Sequence, residues 1–192
     1  DISRDDLPKG IETEREFLSI DEVKLLAETE CRYPLVKDAF MFSCFCGLRI
    51  SDIRKLRWSQ IETYTEDGEE KYRLTIRMTK TKKNITYQLS KEAIKWLPEK
   101  GEDDVIFRGL VQHSCLCYTI KDWVKAAGIK KKITFHCARH TFATMMLTLG
   151  ADIYTTSKLL GHTDIATTEI YAKIIDKKKD EAVGLIDKFF DK

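Results

Sequence analysis

Three side chains close together in this sequence could act on an anion. His136, Arg139 and His140 stand at i, i+3 and i+4 in Phe135-His136-Cys137-Ala138-Arg139-His140, so a helix would present all three from one side. Phe142, Met145, Met146 and Leu149 would supply the apolar contacts of that helix. The two histidines also have the spacing of metalloprotease ligands. The glutamate that such chemistry needs at the second position is Cys137 here, and Arg139 would place a fixed cation beside any bound metal. Arginine and histidine without a carboxylate cluster suit an anion better, and a phosphodiester fits. These residues alone leave open a plainer alternative, a histidine buried for packing and an arginine paired with an acid.

Two further stretches add to them. Leu159-Leu160-Gly161-His162-Thr163 reads as a helix ending in a glycine cap, with Thr163 starting the next helix and His162 in the tight turn between. Tyr171 follows in Thr167-Thr168-Glu169-Ile170-Tyr171-Ala172; on its own it would pass for a core-edge tyrosine. Upstream, the apolar run Leu35 to Cys46 is a buried helix too short for a membrane, stopped by Gly47. Ser51 or Asp52 can cap the next helix, leaving Arg49 in the junction.

The elements around these residues are mostly helical. Ser19-Ile-Asp-Glu22 has capping-box spacing and starts a first helix near residue 20. Between Gln60 and Leu89 the apolar period falls to two, with a hairpin turn at Asp67-Gly68 and a second turn carrying Lys80, Lys82 and Lys83. Helices are expected at roughly 91–97 and 114–127. The fold class is therefore mainly α with a small three-stranded antiparallel sheet.

At 192 residues, with 43% hydrophobic and 33% charged, the chain is one core-forming domain, and it has no apolar run long enough to span a bilayer. The net charge of +2 conceals a division: residues 1–30 carry four bases against ten acids, so the remainder is net +8. Its bases cluster at Arg54–Arg57, Lys80–Lys83, Lys130–Lys132 and Lys177–Lys179. Brought onto one face, they would seek phosphates; singly, they read as solvated faces. The six cysteines lack C-x-x-C or Cys/His ladder spacing, which favours reduced thiols over a metal site and a reducing compartment.

From about Glu16 onward the chain resembles the tyrosine recombinases, or phage-type integrases. Gly47-Leu48-Arg49-Ile50-Ser51-Asp52 is similar to the family's first catalytic box, His136-Cys137-Ala138-Arg139-His140-Thr141 to its H-x-x-R-H box, and Leu160-Gly161-His162 with Thr168-x-x-Tyr171 to its nucleophile box. Ala138 replaces a common leucine and Gln88 a common proline, both at supporting positions. The resemblance implies the family's catalytic-domain fold and a metal-free, cofactor-free enzyme that cleaves and rejoins double-stranded DNA through a 3′-phosphotyrosine. Arg49, Arg139, His136 and His162 would surround the phosphate, with Tyr171 the nucleophile and Lys80 the acid at the leaving oxygen. His136 would take the phenolic proton or hold the array in place. Lys82, Lys83, Lys130, Lys131, Lys132 and His140 are the expected DNA contacts. A topoisomerase-like relaxing enzyme and a DNA-binding module without catalysis remain as alternatives.

The same resemblance divides the chain into an acidic interdomain linker remnant at 1–15, a catalytic domain at 16–175 and a tail helix at 176–192 with a lysine-rich hinge at 176–180. It implies a DNA-binding N-terminal domain missing from this chain, self-association into a synaptic tetramer on DNA through the tail, no membrane, and a bacterial cytoplasmic, nucleoid-associated location. The tail's apolar stripe is Val183, Ile186, Phe189 and Phe190.

Overall fold

A computed structural model describes residues 16–190, with backbone alone at 177–178, 181–182 and 184–190. The expected linker remnant at 1–15 lies outside the described residues. Ser19 opens helix α1 (Ile20–Glu28) with both bonds of a capping box: its Oγ accepts from Glu22 N–H at 3.2 Å and its own N–H donates to Glu22 Oε2 at 2.7 Å. Helix α2 (Pro34–Cys46) takes proline in its first turn, where no donor is needed, and stops at Gly47 in the left-handed conformation. It is the central post, packed by α1, α4, α5 and α6. Phe40 meets Trp123 and Phe135 edge-on at 5.6 and 5.8 Å between ring centroids, which fixes the start of α6 beside His136.

Helix α3 is a single turn (Ile50–Ile53) that begins from Arg49, so neither Ser51 nor Asp52 is its cap. Asp52 is instead buried within it, and its Oδ1 accepts from Thr79 N–H at 2.7 Å across to the sheet. Strands β1 (Ile61–Glu66), β2 (Glu69–Arg77) and β3 (Asn84–Leu89) form an antiparallel sheet in sequence order, with Leu74 opposite both Ile61 and Tyr87. Asp67 and Gly68 both have positive φ, as the tight hairpin turn requires. Leu74, Ile76, Met78 and Leu89 are buried beneath the helices.

Helix α4 is shorter than expected (Lys91–Ile94): Ser90 caps it, and Trp96 and Leu97 continue only in tight i−3 bonds before Pro98. Helix α5 (His113–Ala126) buries Leu116, Ile120, Trp123 and Val124. Cys31, Cys44, Cys46 and Cys137 are buried, whereas Cys115 and Cys117 flank the buried Leu116 and are half-exposed, because neighbours of an inward residue on a helix point to its sides.

Helices α6 (Phe135–Thr148), α7 (Ile153–Leu159) and α8 (Ala166–Phe190) complete the fold. Thr163 does not cap α8; Asp164 accepts from Ala166 N–H at 3.0 Å and its carbonyl accepts from Thr167 N–H. Helix α8 runs unbroken through 176–180, the stretch expected as a hinge. Lysines are good helix formers, and that segment holds neither Gly nor Pro. In the tail stripe Val183 is exposed, and the side chains of Ile186, Phe189 and Phe190 lie outside the described residues. No described helix is long and apolar enough to cross a membrane.

Candidate active site

Arg139 is the second arginine of the motif stretch and only 2% exposed. Its Nη1 donates to Gly47 O at 2.7 Å and its Nη2 to Leu160 O at 2.5 Å. One guanidinium therefore ties the α2–α3 junction to the α7–α8 turn. A guanidinium has five N–H donors, so these two bonds leave donors for a ligand. Burial first, and then the neighbouring Arg49, lower the Arg139 pKa to about 10 against the opposing pull of Tyr171 and Asp52.

Gly47 is required twice over at that junction. Its φ is +73°, and a Cβ there would lie 2.6 Å from Phe142 Cδ1. The close approach brings the carbonyl of Gly47, two residues before Arg49, to Arg139. Burial also lowers the pKa of Arg49, which Asp52 and then Tyr171 raise. Three buried atoms have no hydrogen-bond partner among the described residues: Arg49 Nη1, Asp52 Oδ2 and Thr81 Oγ1. A buried guanidinium N–H without a partner is costly unless an acceptor arrives, and an anion is the natural acceptor.

Tyr171 is 2% exposed, in a small cluster with Phe142, Ala143 and Leu160. Its Oη lies 2.6 Å from His140 Nδ1, the two rings tilted at 45°. His140, expected as a DNA contact, is thus buried against the tyrosine hydroxyl. His136 is exposed at the helix surface and meets the His140 ring edge-on at 4.5 Å between centroids. His162 is buried, and its Nδ1 lies 2.8 Å from Thr168 Oγ1.

The lysines separate. Lys80 and Lys82 are exposed in the β2–β3 turn, Lys82 at φ +57°. Lys83 points inward: its Nζ donates to His162 O at 3.0 Å, so this expected DNA contact joins the β2–β3 turn to the α7–α8 turn. Lys131 is held by Glu22 Oε2 at 2.5 Å and Phe17 O at 3.0 Å, away from phosphate duty. Lys130 and Lys132 are exposed and line, with Lys121 and Lys125, a cavity of about 760 Å³ between α5 and residues 128–134. Among the described residues no hydrogen bond links them to the arginine–tyrosine group. No group of three or more His, Cys, Asp or Glu among the described residues is placed to hold a metal.

Sequence reasoning gave Asp52 only as a cap, and it missed the contacts of His140, Lys83 and Thr168. An acid three residues after Arg49 was a usable signal for Asp52. The other contacts join residues 6 to 79 positions apart and have no local signature.

Fold and site together give a mainly helical domain in which the half-buried Arg49 and the buried Arg139 and Tyr171 lie at the meeting of the α2–α3 junction with the α7–α8 turn, a constellation suited to an anion. The Phage integrase family matches residues 16–178, and the chain belongs to that family. It is 32% identical over 184 residues to the tyrosine recombinase XerD of Listeria innocua and 29% identical over 179 residues to a tyrosine recombinase of Pseudothermotoga lettingae. These alignments include 87% and 88% of this chain but only 61% and 60% of those proteins, so the chain spans about three-fifths of the relatives' length. Among solved structures it resembles the catalytic domain of bacteriophage HP1 integrase (29% identity, TM-score 0.62, 83% of this chain and 88% of that one). It also resembles the XerA recombinase (26% identity, TM-score 0.64, 86% of this chain and 61% of that one). The fold is that of tyrosine recombinase catalytic domains.

Proposed function

We propose that this chain is the catalytic part of a site-specific DNA recombinase, which breaks and rejoins a strand through a phosphotyrosine. The observation that carries the reading is the burial of Tyr171 in one cluster with Leu160, whose carbonyl accepts from Arg139, while the same guanidinium holds the junction that carries Arg49. A substrate phosphate between the two guanidiniums would meet the unpartnered Arg49 Nη1 and the remaining Arg139 donors. Tyr171 Oη attacks phosphorus, the P–O5′ bond breaks, and a 3′-phosphotyrosine conserves the ester for rejoining. Arg49, Arg139, His136 and His162 stabilise charge on the non-bridging oxygens, where each positioned donor contributes about 3–4 kcal/mol. Lys80, exposed in its turn, protonates the departing 5′ oxygen.

Double-stranded DNA is the proposed substrate, and self-association into a tetramer through the end of α8 is proposed for pairing sites. An additional N-terminal DNA-binding domain in the whole protein and a bacterial cytoplasmic, nucleoid-associated location belong to the same reading. The XerH recombinase, a fold neighbour at 20% identity, was solved bound to its difH substrate. The test is incubation with a nicked suicide DNA substrate in the presence of EDTA. A covalent adduct is expected; dependence on an added divalent ion would return the site to metallohydrolase chemistry.

A further inference from the structure

The nucleophile's proton needs a place to go. A tyrosine phenol ordinarily titrates near ~10 and is almost wholly protonated at neutral pH. Tyr171 is 2% exposed in a cluster with Phe142, Ala143 and Leu160, so bulk water is not at hand to take that proton. An acceptor must therefore lie within hydrogen-bond reach of Oη as the new bond forms. His140 Nδ1 is 2.6 Å away, and both residues are buried, at 7% and 2% exposure. The contact joins α6 to α8, helices packed along each other and pinned by Arg139 at the turn before α8. His136, exposed and edge-on to His140, stands on the outer side of the pair.

We propose that His140 is a catalytic residue, the base that accepts the Tyr171 proton during cleavage and returns it during rejoining. This assignment rests on the recombinase reading above. In the forward step the O–H bond of Tyr171 breaks towards His140 Nδ1 as Oη bonds to phosphorus, while the 5′ oxygen leaves with a proton from Lys80. The imidazolium so formed is kept beside the negative phosphodiester. In the reverse step the 5′ hydroxyl attacks, its proton returns to Lys80, and Tyr171 leaves as a phenol carrying the proton from His140. Atoms and charge balance over the cycle, with no metal or external base. His136 then acts on the phosphate oxygens alone.

The test varies the base and the nucleophile together. His140→Asn puts an amide where Nδ1 stands, keeping a hydrogen-bond partner that takes no proton; His140→Gln is a second variant should Asn fold poorly. Each is made with Tyr171 and with 3,5-difluorotyrosine at position 171, whose more acidic phenol depends less on a base. Single-turnover adduct formation is measured on the nicked suicide substrate, together with thermal melting and DNA binding. With tyrosine, loss of the base should slow adduct formation by about 100-fold or more, the usual scale of general-base catalysis, with binding within twofold. With difluorotyrosine that penalty should shrink to under tenfold, while the penalty of His136→Gln stays unchanged. An equal His140 penalty with both nucleophiles would reduce the residue to positioning, and a penalty relieved at His136 instead would transfer the role there. Wild-type protein giving no adduct would overturn the recombinase reading and this assignment with it; wild-type adduct without fluorine relief would overturn His140 alone.

Discussion

Gly47→Ala tests how the fold reaches into the site. The new methyl would sit 2.6 Å from Phe142 Cδ1 and 3.2 Å from Leu160 Cδ2, on a backbone held at φ +73°. The left-handed conformation costs about 1–2 kcal/mol for a residue with a Cβ. Overpacking against the buried Phe142 and Leu160 adds about 1–3 kcal/mol. A total loss of about 2–5 kcal/mol is expected, read as a lower urea midpoint at unchanged slope. The same shift moves Gly47 O away from Arg139 Nη1, so adduct formation at a temperature where the variant stays folded should fall by at least tenfold. Adding Phe142→Leu should recover the packing part and leave the backbone part, giving a coupling of about 1–3 kcal/mol in the double-mutant cycle. A loss below 1 kcal/mol, or strict additivity of the two substitutions, would refute the reasoning.

Lys80→Ala should slow cleavage of ordinary DNA but have little effect where the 5′ bridging oxygen is sulfur, since a thiolate leaves without a proton; the same rescue at Lys82 or Lys83 instead would relocate the acid. Lys83→Met should slow cleavage by about tenfold, a loss of ~1.4 kcal/mol of transition-state stabilisation, with the salt dependence of DNA binding unchanged, because its ammonium is engaged by His162 O; a shallower salt slope would make it a phosphate contact after all. At Glu22, burial pulls the pKa up, but bonds from Lys131 and Ser19 outweigh it and hold the carboxyl below its usual 4.5. A depressed carboxylate contributes stability above its unfolded pKa and loses it as pH falls through the folded one, so Glu22→Gln should lower stability at pH 7 and flatten the further loss below about pH 4.5, the two proteins converging in acid. An unchanged acid limb in that variant would remove Glu22 from the acid response.

Local rules carried much of the architecture from the sequence. The capping box at Ser19 and Glu22, the Asp67-Gly68 turn and the Gly47 stop each depend on a few neighbouring residues, and each forms as its chemistry requires. Of the residues named by the boxes around Arg49, His136, Arg139, His162 and Tyr171, Arg139 reaches the Gly47 carbonyl two residues before Arg49 and the carbonyl of Leu160, which packs in one cluster with Tyr171. The parts that were not legible depend on where side chains arrive after packing. His140 and His136 lie one helical turn apart, and only the position of α8 decides which of them meets Tyr171 Oη. Lys80, Lys82 and Lys83 are alike as residues; the left-handed turn at Lys82 is what sends Lys83 inward and leaves Lys80 exposed. Asp52 looked like a cap because it begins a short helix in sequence, yet its carboxylate is claimed by Thr79 from the sheet.

The central claim is that Tyr171 is the nucleophile of a strand-exchange reaction, and mapping the protein–DNA adduct tests it most directly. Digestion of the adduct formed on a nicked suicide substrate, followed by mass spectrometry, should place the nucleotide on the peptide containing Tyr171 through a 3′ phosphate. Tyr171→Phe should abolish the adduct while retaining the wild-type melting temperature within a few degrees and DNA binding within twofold. An adduct carried by Tyr154, which is 60% exposed on α7, or one that persists in Tyr171→Phe, would contradict the account.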